Sequence, residues 1–228
     1  MRIAVFGPHP DDQELGMGAT IARLAATGHE VTLIDMTTGE PTPFGSTEIR
    51  AREAAAAAKI LGATRHQLAL TNRELVSDLA SRNIVAGAIR MLKPHILFAP
   101  HPEDAHPDHV AACAMIEAAR FAAKYTKCDL PGDPWHAPHL FHYYSIHLKS
   151  IPQPSVVADT TGFAHAKQRA VLAYESQFVL NEKNRKVPQW LEAAGIYFGS
   201  RIGTETAEPF FSRETVAMDF SAMRVDVS

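Results

Sequence analysis

The stretch GPHPDDQELGMG, residues 7–18, places His9, Asp11, Asp12 and Glu14 directly behind the apolar run IAVF. A second stretch, PHPEDAHPDH at 100–109, follows the apolar run HILFA and carries His101, Glu103, Asp104, His106, Asp108 and His109. Glycines behind a buried strand suggest a loop that cradles phosphate. The sign of the charge excludes it, because Asp11 and Asp12 repel an anion and no GxxxxGK[ST] pattern is present. Adjacent carboxylates among several imidazoles stay repelled or unsatisfied unless a cation sits between them.

His9 and Asp12 are three residues apart on a turn, so both can face one ion while Asp11 points elsewhere, and His109 supplies a third ligand from the second loop. Nitrogen and oxygen donors without thiolate suit zinc, with manganese, iron and nickel also compatible with this ligand type. Three protein ligands leave a position for water, the arrangement of a catalytic site, and metal-bound water is then the expected nucleophile. Asp11 is the expected general base. His106 is expected to stabilise the oxyanion or protonate the leaving group, with Asp108 orienting it and favouring its charged form. Glu14 reads as a first-turn helix residue or a partner of a ligand, His101 and Asp104 as loop or supporting residues. Cys113 reads as a buried small hydrophobe, His142 and His147 as structural or surface residues, and Tyr143, Tyr144 and Trp190 as core aromatics.

The elements that must position these groups alternate. Strands are expected at 2–6, 30–36, 67–70, 95–99 and 139–147, with helices at about 16–27, 46–61, 78–92, 109–124, 163–175 and 188–199. Asp108 is the expected N-cap of the fourth helix. Such alternation predicts an α/β fold, a single Rossmann-like domain over 1–228 with a mostly parallel sheet and helices on both faces. Both charged loops then fall outside the carboxyl ends of strands, where such sheets bind ligands.

Composition narrows the partner. Of 228 residues, 46% are hydrophobic and 21% charged, which suits a folded globular domain. The formal charge of −3, with no block of like charge, argues for a small-molecule partner over a nucleic acid or a membrane surface. Two cysteines, Cys113 and Cys128, in no CxxC arrangement, and no signal-peptide pattern lead us to expect a cytoplasmic protein. A two-metal phosphoesterase, with Asp104 or Asp108 completing a second site, is the alternative use of the same loops; a metal-dependent sugar-binding protein would leave Asp11 without a task.

HPDD at 9–12 followed by ELGMGAT, paired with HPDH at 106–109 before a helix, resembles the LmbE-like (PIG-L) family of zinc-dependent N-acetylglucosaminyl deacetylases. TTGE at 37–40, EIRAREAAAAAKILG at 48–62, YESQF at 174–178 and AEPF at 207–210 extend the resemblance over nearly the whole chain. It implies removal of the N-acetyl group from a glucosamine derivative, with His9, Asp12 and His109 on Zn2+, Asp11 as general base, His106 as second catalytic group and Arg50 toward the substrate. It also implies a homo-oligomer, a trimer or hexamer. The nearest subgroup is the bacillithiol-pathway deacetylases, which act on N-acetylglucosaminyl malate; simple N-acetylglucosaminides and chitooligosaccharides are the other substrates in view. Against that subgroup the chain has Ala105 in place of an arginine before HPDH. His139 lies where a strand-five arginine is expected, so His139 or His136 is the expected substitute in substrate binding.

Overall fold

The computed structural model describes residues 1–147 and 151–217. Alternate residues of a strand face opposite sides of its sheet, and the first strand shows this directly. In β1 (Arg2–Gly7), Ile3 and Val5 enter one apolar core while Ala4 and Phe6 enter the other. β1 lies between β2 (Glu30–Asp35) and β4 (Ile96–Pro100), parallel to both. β3 (Thr64–Gln67) extends the sheet beyond β2, and β5 (His139–Tyr143) beyond β4, again in parallel. Two antiparallel strands, β7 (Ala207–Phe211) and then β6 (Val156–Asp159), complete the order β3-β2-β1-β4-β5-β7-β6.

The expected parallel sheet with helices on both faces is therefore present. α1 (Asp12–Ala26), α2 (Thr47–Leu61), α5 (Ala164–Leu172) and α7 (Val187–Ile202) cover one face through residues such as Leu15, Ala57, Val171 and Val187. α3 (Leu79–Leu92) and α4 (Pro107–Ala122) cover the other through Val85, Ile89, Ala112 and Met115. A short α6 (Glu175–Phe178) follows α5. Chain order places β2 on one side of β1 and β4 on the other, so the crevice where the order reverses lies at the carboxyl ends of β1 and β4. Both charged loops leave from there.

Local chemistry sets the helix limits. Ser46 caps α2 by accepting from the Ile49 N–H, and Gly62 closes it at φ 72°. α1 begins at Asp12, four residues before the expected start, and its backbone breaks at Met17 (φ −148°, ψ 28°). The Glu208 carboxylate, from β7, accepts from the Ala19 and Thr20 N–H groups beyond the break, at 3.2 and 2.7 Å. Lys167 neutralises it at 2.6 Å. Gly16 lies beside the break because a Cβ there would come within 2.3 Å of the Tyr143 ring. The glycines of the first loop thus serve close packing.

Other boundaries also differ from expectation. β3 ends at Gln67 where a strand at 67–70 was expected, and β5 ends at Tyr143, well short of 147. β6 and β7 were not anticipated. Trp190 is 61% exposed on α7 and no core aromatic, whereas Tyr143 and Tyr144 are buried.

Candidate active site and metal centre

Asp11 adopts φ 111°, ψ −25°, a left-handed conformation that Asp and Asn tolerate better than most side chains. The turn sends successive carboxylates in different directions. Asp12 folds back on His9: its Oδ2 accepts from the His9 backbone N–H at 2.8 Å and lies 3.1 Å from His9 Nδ1. Asp11 faces α2, where Arg50 Nη2 donates to its Oδ2 at 2.8 Å. Arg50 also donates from Nε and Nη2 to the Pro10 carbonyl, at 3.1 and 2.7 Å, and so fixes the turn itself.

The second loop meets the first from β4. His9 Nε2 lies 3.1 Å from Asp108 Oδ2, which also accepts from the Arg73 backbone N–H at 2.8 Å. His109 Nδ1 donates to Asp104 Oδ2 at 3.0 Å, and Asp104 Oδ1 accepts from the His106 N–H at 2.8 Å. His109 Nε2 is buried and has no hydrogen-bond partner, although Asp12 Oδ1 is only 3.3 Å away. One donor atom each from His9, Asp12 and His109 lies within 4.8 Å of the other two. An orphaned imidazole nitrogen beside a carboxylate, in an all nitrogen and oxygen set, fits a divalent transition metal such as zinc.

The protonation pattern agrees. Burial lowers His9, but Asp12 and Asp108 outweigh it and hold the imidazole up at about 9. Burial likewise lowers His109, and Asp12 with Asp104 holds it up at about 10. In the protein alone, protons supply the positive charge that these carboxylates require. Asp11 behaves differently: burial pushes its carboxyl up to about 7 against the opposing pull of Arg50. A buried carboxyl held between these opposing influences is placed to take up and return a proton.

His106 departs from expectation in two respects. It caps α4 itself, its Nδ1 accepting from the Asp108 N–H at 3.2 Å, so Asp108 is not the N-cap. Burial and the neighbouring His9 and His109 lower its pKa, so its charged form is disfavoured, and the Asp108 carboxylate serves His9 and Arg73 instead of orienting it. With Nδ1 accepting, the His106 proton resides on Nε2 as a donor. Arg50 lines the cavity of about 220 Å³ in front of the cluster, as do Asn72, Arg73 and His147. His139 does not: it stands exposed at the amino end of β5, opposite Ile96, away from the site edge. His136 lines a different cavity with Glu117 and Arg213. Neither histidine lines the cavity in front of the cluster.

The PIG-L family profile, described as GlcNAc-PI de-N-acetylase, matches residues 4–120. The chain belongs to the PIG-L family. A diacetylchitobiose deacetylase of Thermococcus kodakarensis is 30% identical over 226 residues, spanning 91% of this chain and 81% of the relative. A 1D-myo-inositol 2-acetamido-2-deoxy-alpha-D-glucopyranoside deacetylase of Streptomyces avermitilis is 29% identical, spanning 99% and 83%. The crystal structure of a conserved protein from Thermus thermophilus matches with a TM-score of 0.90 and 36% identity, over 97% of this chain and 99% of that one. Membership makes this chain an N-deacetylase, a hydrolase of an amide bond. No helix among the described residues is long and apolar enough to cross a membrane.

Several residues of this PIG-L site went unrecognised in the sequence. His147 was expected to be structural or on the surface, yet its ring lies 5.6 Å from those of both His106 and His109. Asn72 and Arg73 lie in a loop with no motif to mark them, and Arg73 holds a φ of 67°. Gln177 lines the cavity and donates to Thr42 Oγ1 at 3.2 Å; its one sequence signal was the YESQF stretch.

Proposed function

We propose that this PIG-L enzyme removes the acetyl group from an N-acetylglucosamine derivative, using a divalent cation, most simply zinc, held by His9, Asp12 and His109. The observation that carries this reading is the Asp11 carboxylate, buried beside the three donors and engaged by Arg50. A cation in that set supplies Lewis acidity toward the amide carbonyl and lowers the pKa of a water. Asp11 Oδ2, positioned by Arg50, takes the proton of the attacking water. His106 Nε2–H donates to the carbonyl oxygen as negative charge builds on it. Asp11, now a carboxylic acid, returns its proton to the departing amine, leaving acetate and a free glucosamine amine. Asp104 holds the His109 ring through Nδ1 throughout.

For the substrate, the polar cavity with Asn72, Arg73, Thr42 and Gln177 at its rim suits a sugar with a hydroxylated or charged substituent. N-acetylglucosaminyl malate, chitooligosaccharides and inositol conjugates all meet that description. For the phosphoesterase reading, Asp104 is already engaged by His109, and the Asp108 set, His9, His106 and Asp108, shares His9 with the first set and so offers no independent second site. The test is amine release from a panel of N-acetylglucosaminides by zinc-loaded protein, with the malate conjugate and a phosphate monoester included. Amine release from the acetylated sugars supports the reading. Phosphate release without amine release overturns it.

A further inference from the structure

We propose that Cys113, Glu117 and His142 form a second metal site, for a zinc-type divalent cation, sharing no residue with the catalytic set. Cys113 and Glu117 lie one turn apart on α4, on the same side of the helix, and His142 faces them from β5. One donor atom from each of the three lies within 4.8 Å of the others. Cys113 Sγ is 3.6 Å from His142 Nδ1, and His142 Nε2 is 3.5 Å from Glu117 Oε1. Cys113 and His142 are each 1% exposed.

The hydrogen bonding leaves a place for a cation. His142 Nδ1 lies 3.1 Å from the Pro100 carbonyl oxygen, which can only accept, so the ring proton resides on Nδ1 and Nε2 presents a lone pair. Glu117 Oε1 is buried and makes no hydrogen bond. Two acceptor atoms therefore face each other at 3.5 Å with no proton between them. A bound cation converts that repulsion into two ligand bonds, and it displaces the Cys113 proton, which burial otherwise retains by pushing the thiol up to about 12.

Arg213 Nε stands 3.0 Å from the same Glu117 oxygen and supplies positive charge in the protein alone. Its side chain is 56% exposed, free to swing into solvent when a metal enters. A cavity of about 310 Å³, lined by Glu117, His142, Arg120, Lys124, His136 and Arg213, opens onto the cluster. It leaves room for a fourth ligand, a water or a small anion, beside three cationic side chains. Thiolate, imidazole and carboxylate with one open position is a donor set that zinc accepts.

Sulfur gives this site a signature that the catalytic set lacks. Cobalt(II) is titrated into the metal-stripped full chain, and the near-ultraviolet thiolate-to-cobalt charge-transfer band is followed. The band is expected to saturate at one equivalent per chain, to persist in His109→Ala, and to vanish in Cys113→Ser while the catalytic set still takes up cobalt. Glu117→Gln is expected to weaken the cobalt affinity severalfold, and Arg213→Ala to strengthen it by removing a competing cation. Absence of the band in the wild type, its survival in Cys113→Ser, its loss in Cys128→Ser, or weaker binding in Arg213→Ala overturns the proposal. Where the Cys113-dependent band is present, a second metal per chain belongs to this site on α4 and has no bearing on whether the catalytic centre is mononuclear.

Discussion

The first turn of α1 separates two buried charge clusters, one behind it and one in front. Behind it, Arg65 Nη1 donates to Glu14 Oε1 at 2.6 Å, and its Nε and Nη2 clasp Asp35 at 2.7 and 2.9 Å. Gln13 Nε2 adds a bond to Asp35 Oδ1 at 3.0 Å, and the Tyr174 hydroxyl one to Glu14 at 3.3 Å. This cluster is closed by the chain's own bonds: the one guanidinium of Arg65 serves both carboxylates, and Gln13 and Tyr174 supply further donors. In front, Asp11 is paired with Arg50, while Asp12, Asp104 and Asp108 lie among the imidazoles of His9, His106 and His109, and His109 Nε2 is orphaned. The rear cluster is satisfied by the chain's own bonds, whereas the front one leaves an imidazole nitrogen without a partner beside a carboxylate, which is the physical difference between a support and a candidate site.

Breaking the front should cost function. His109→Ala removes a ligand and is expected to abolish both stoichiometric zinc uptake at this site and amine release, the largest effect in the series. Asp11→Asn comes next: zinc retained, with kcat lowered by about 100- to 10,000-fold, the contribution of a positioned acid–base group. Asparagine also tolerates the positive φ at this position, so loss of the turn does not confound the result. Full activity in Asp11→Asn would remove the general-base assignment. Breaking the rear should cost stability instead. Arg65→Met strands two buried carboxylates and is expected to destabilise the fold by about 3–5 kcal/mol, read from urea unfolding. Wild-type stability in that variant would mean that the rear cluster is not the support.

The front was largely legible in the sequence and the rear was not, for a reason of distance along the chain. His9, Asp11 and Asp12 share one turn, and His106 and His109 one helix start, so their types and spacing already imply a cation. Arg65 reaches Glu14 across 51 positions, and Tyr174 across 160, with no local pattern to announce either. The break in α1 was hidden likewise, since its cap, Glu208, lies 188 positions beyond Thr20. β7 has no alternating pattern to mark it, and its Pro209 lies beyond the pairing with β5, opposite Val157 of β6 alone. His147 was misjudged because the strand ends at Tyr143, freeing the chain to turn toward His106 and His109.

Glu208 tests how far the support extends. Glu208→Gln weakens the cap on the Ala19 and Thr20 N–H groups and leaves Lys167 buried without its partner. A loss of about 1–3 kcal/mol in unfolding free energy is expected, with zinc affinity changed much less than in His109→Ala. A variant that loses zinc but keeps its stability would shift Glu208 from support to site.

The smallest effect belongs to His139. β5 runs parallel to β4, with His139 opposite Ile96 and Tyr143 opposite Pro100, after which the second charged loop begins. At roughly 3.3 Å per residue, His139 stands about 13 Å behind the edge where the site is built. His139→Ala is therefore expected to change kcat/KM by less than about twofold and stability by less than about 0.5 kcal/mol, as for an exposed surface position. A rise in KM confined to substrates with an acidic substituent would contradict this and restore His139 to the recognition role that the sequence suggested. Parallel pairing argues against that outcome on distance alone, since the site loops leave from the opposite end of the strands.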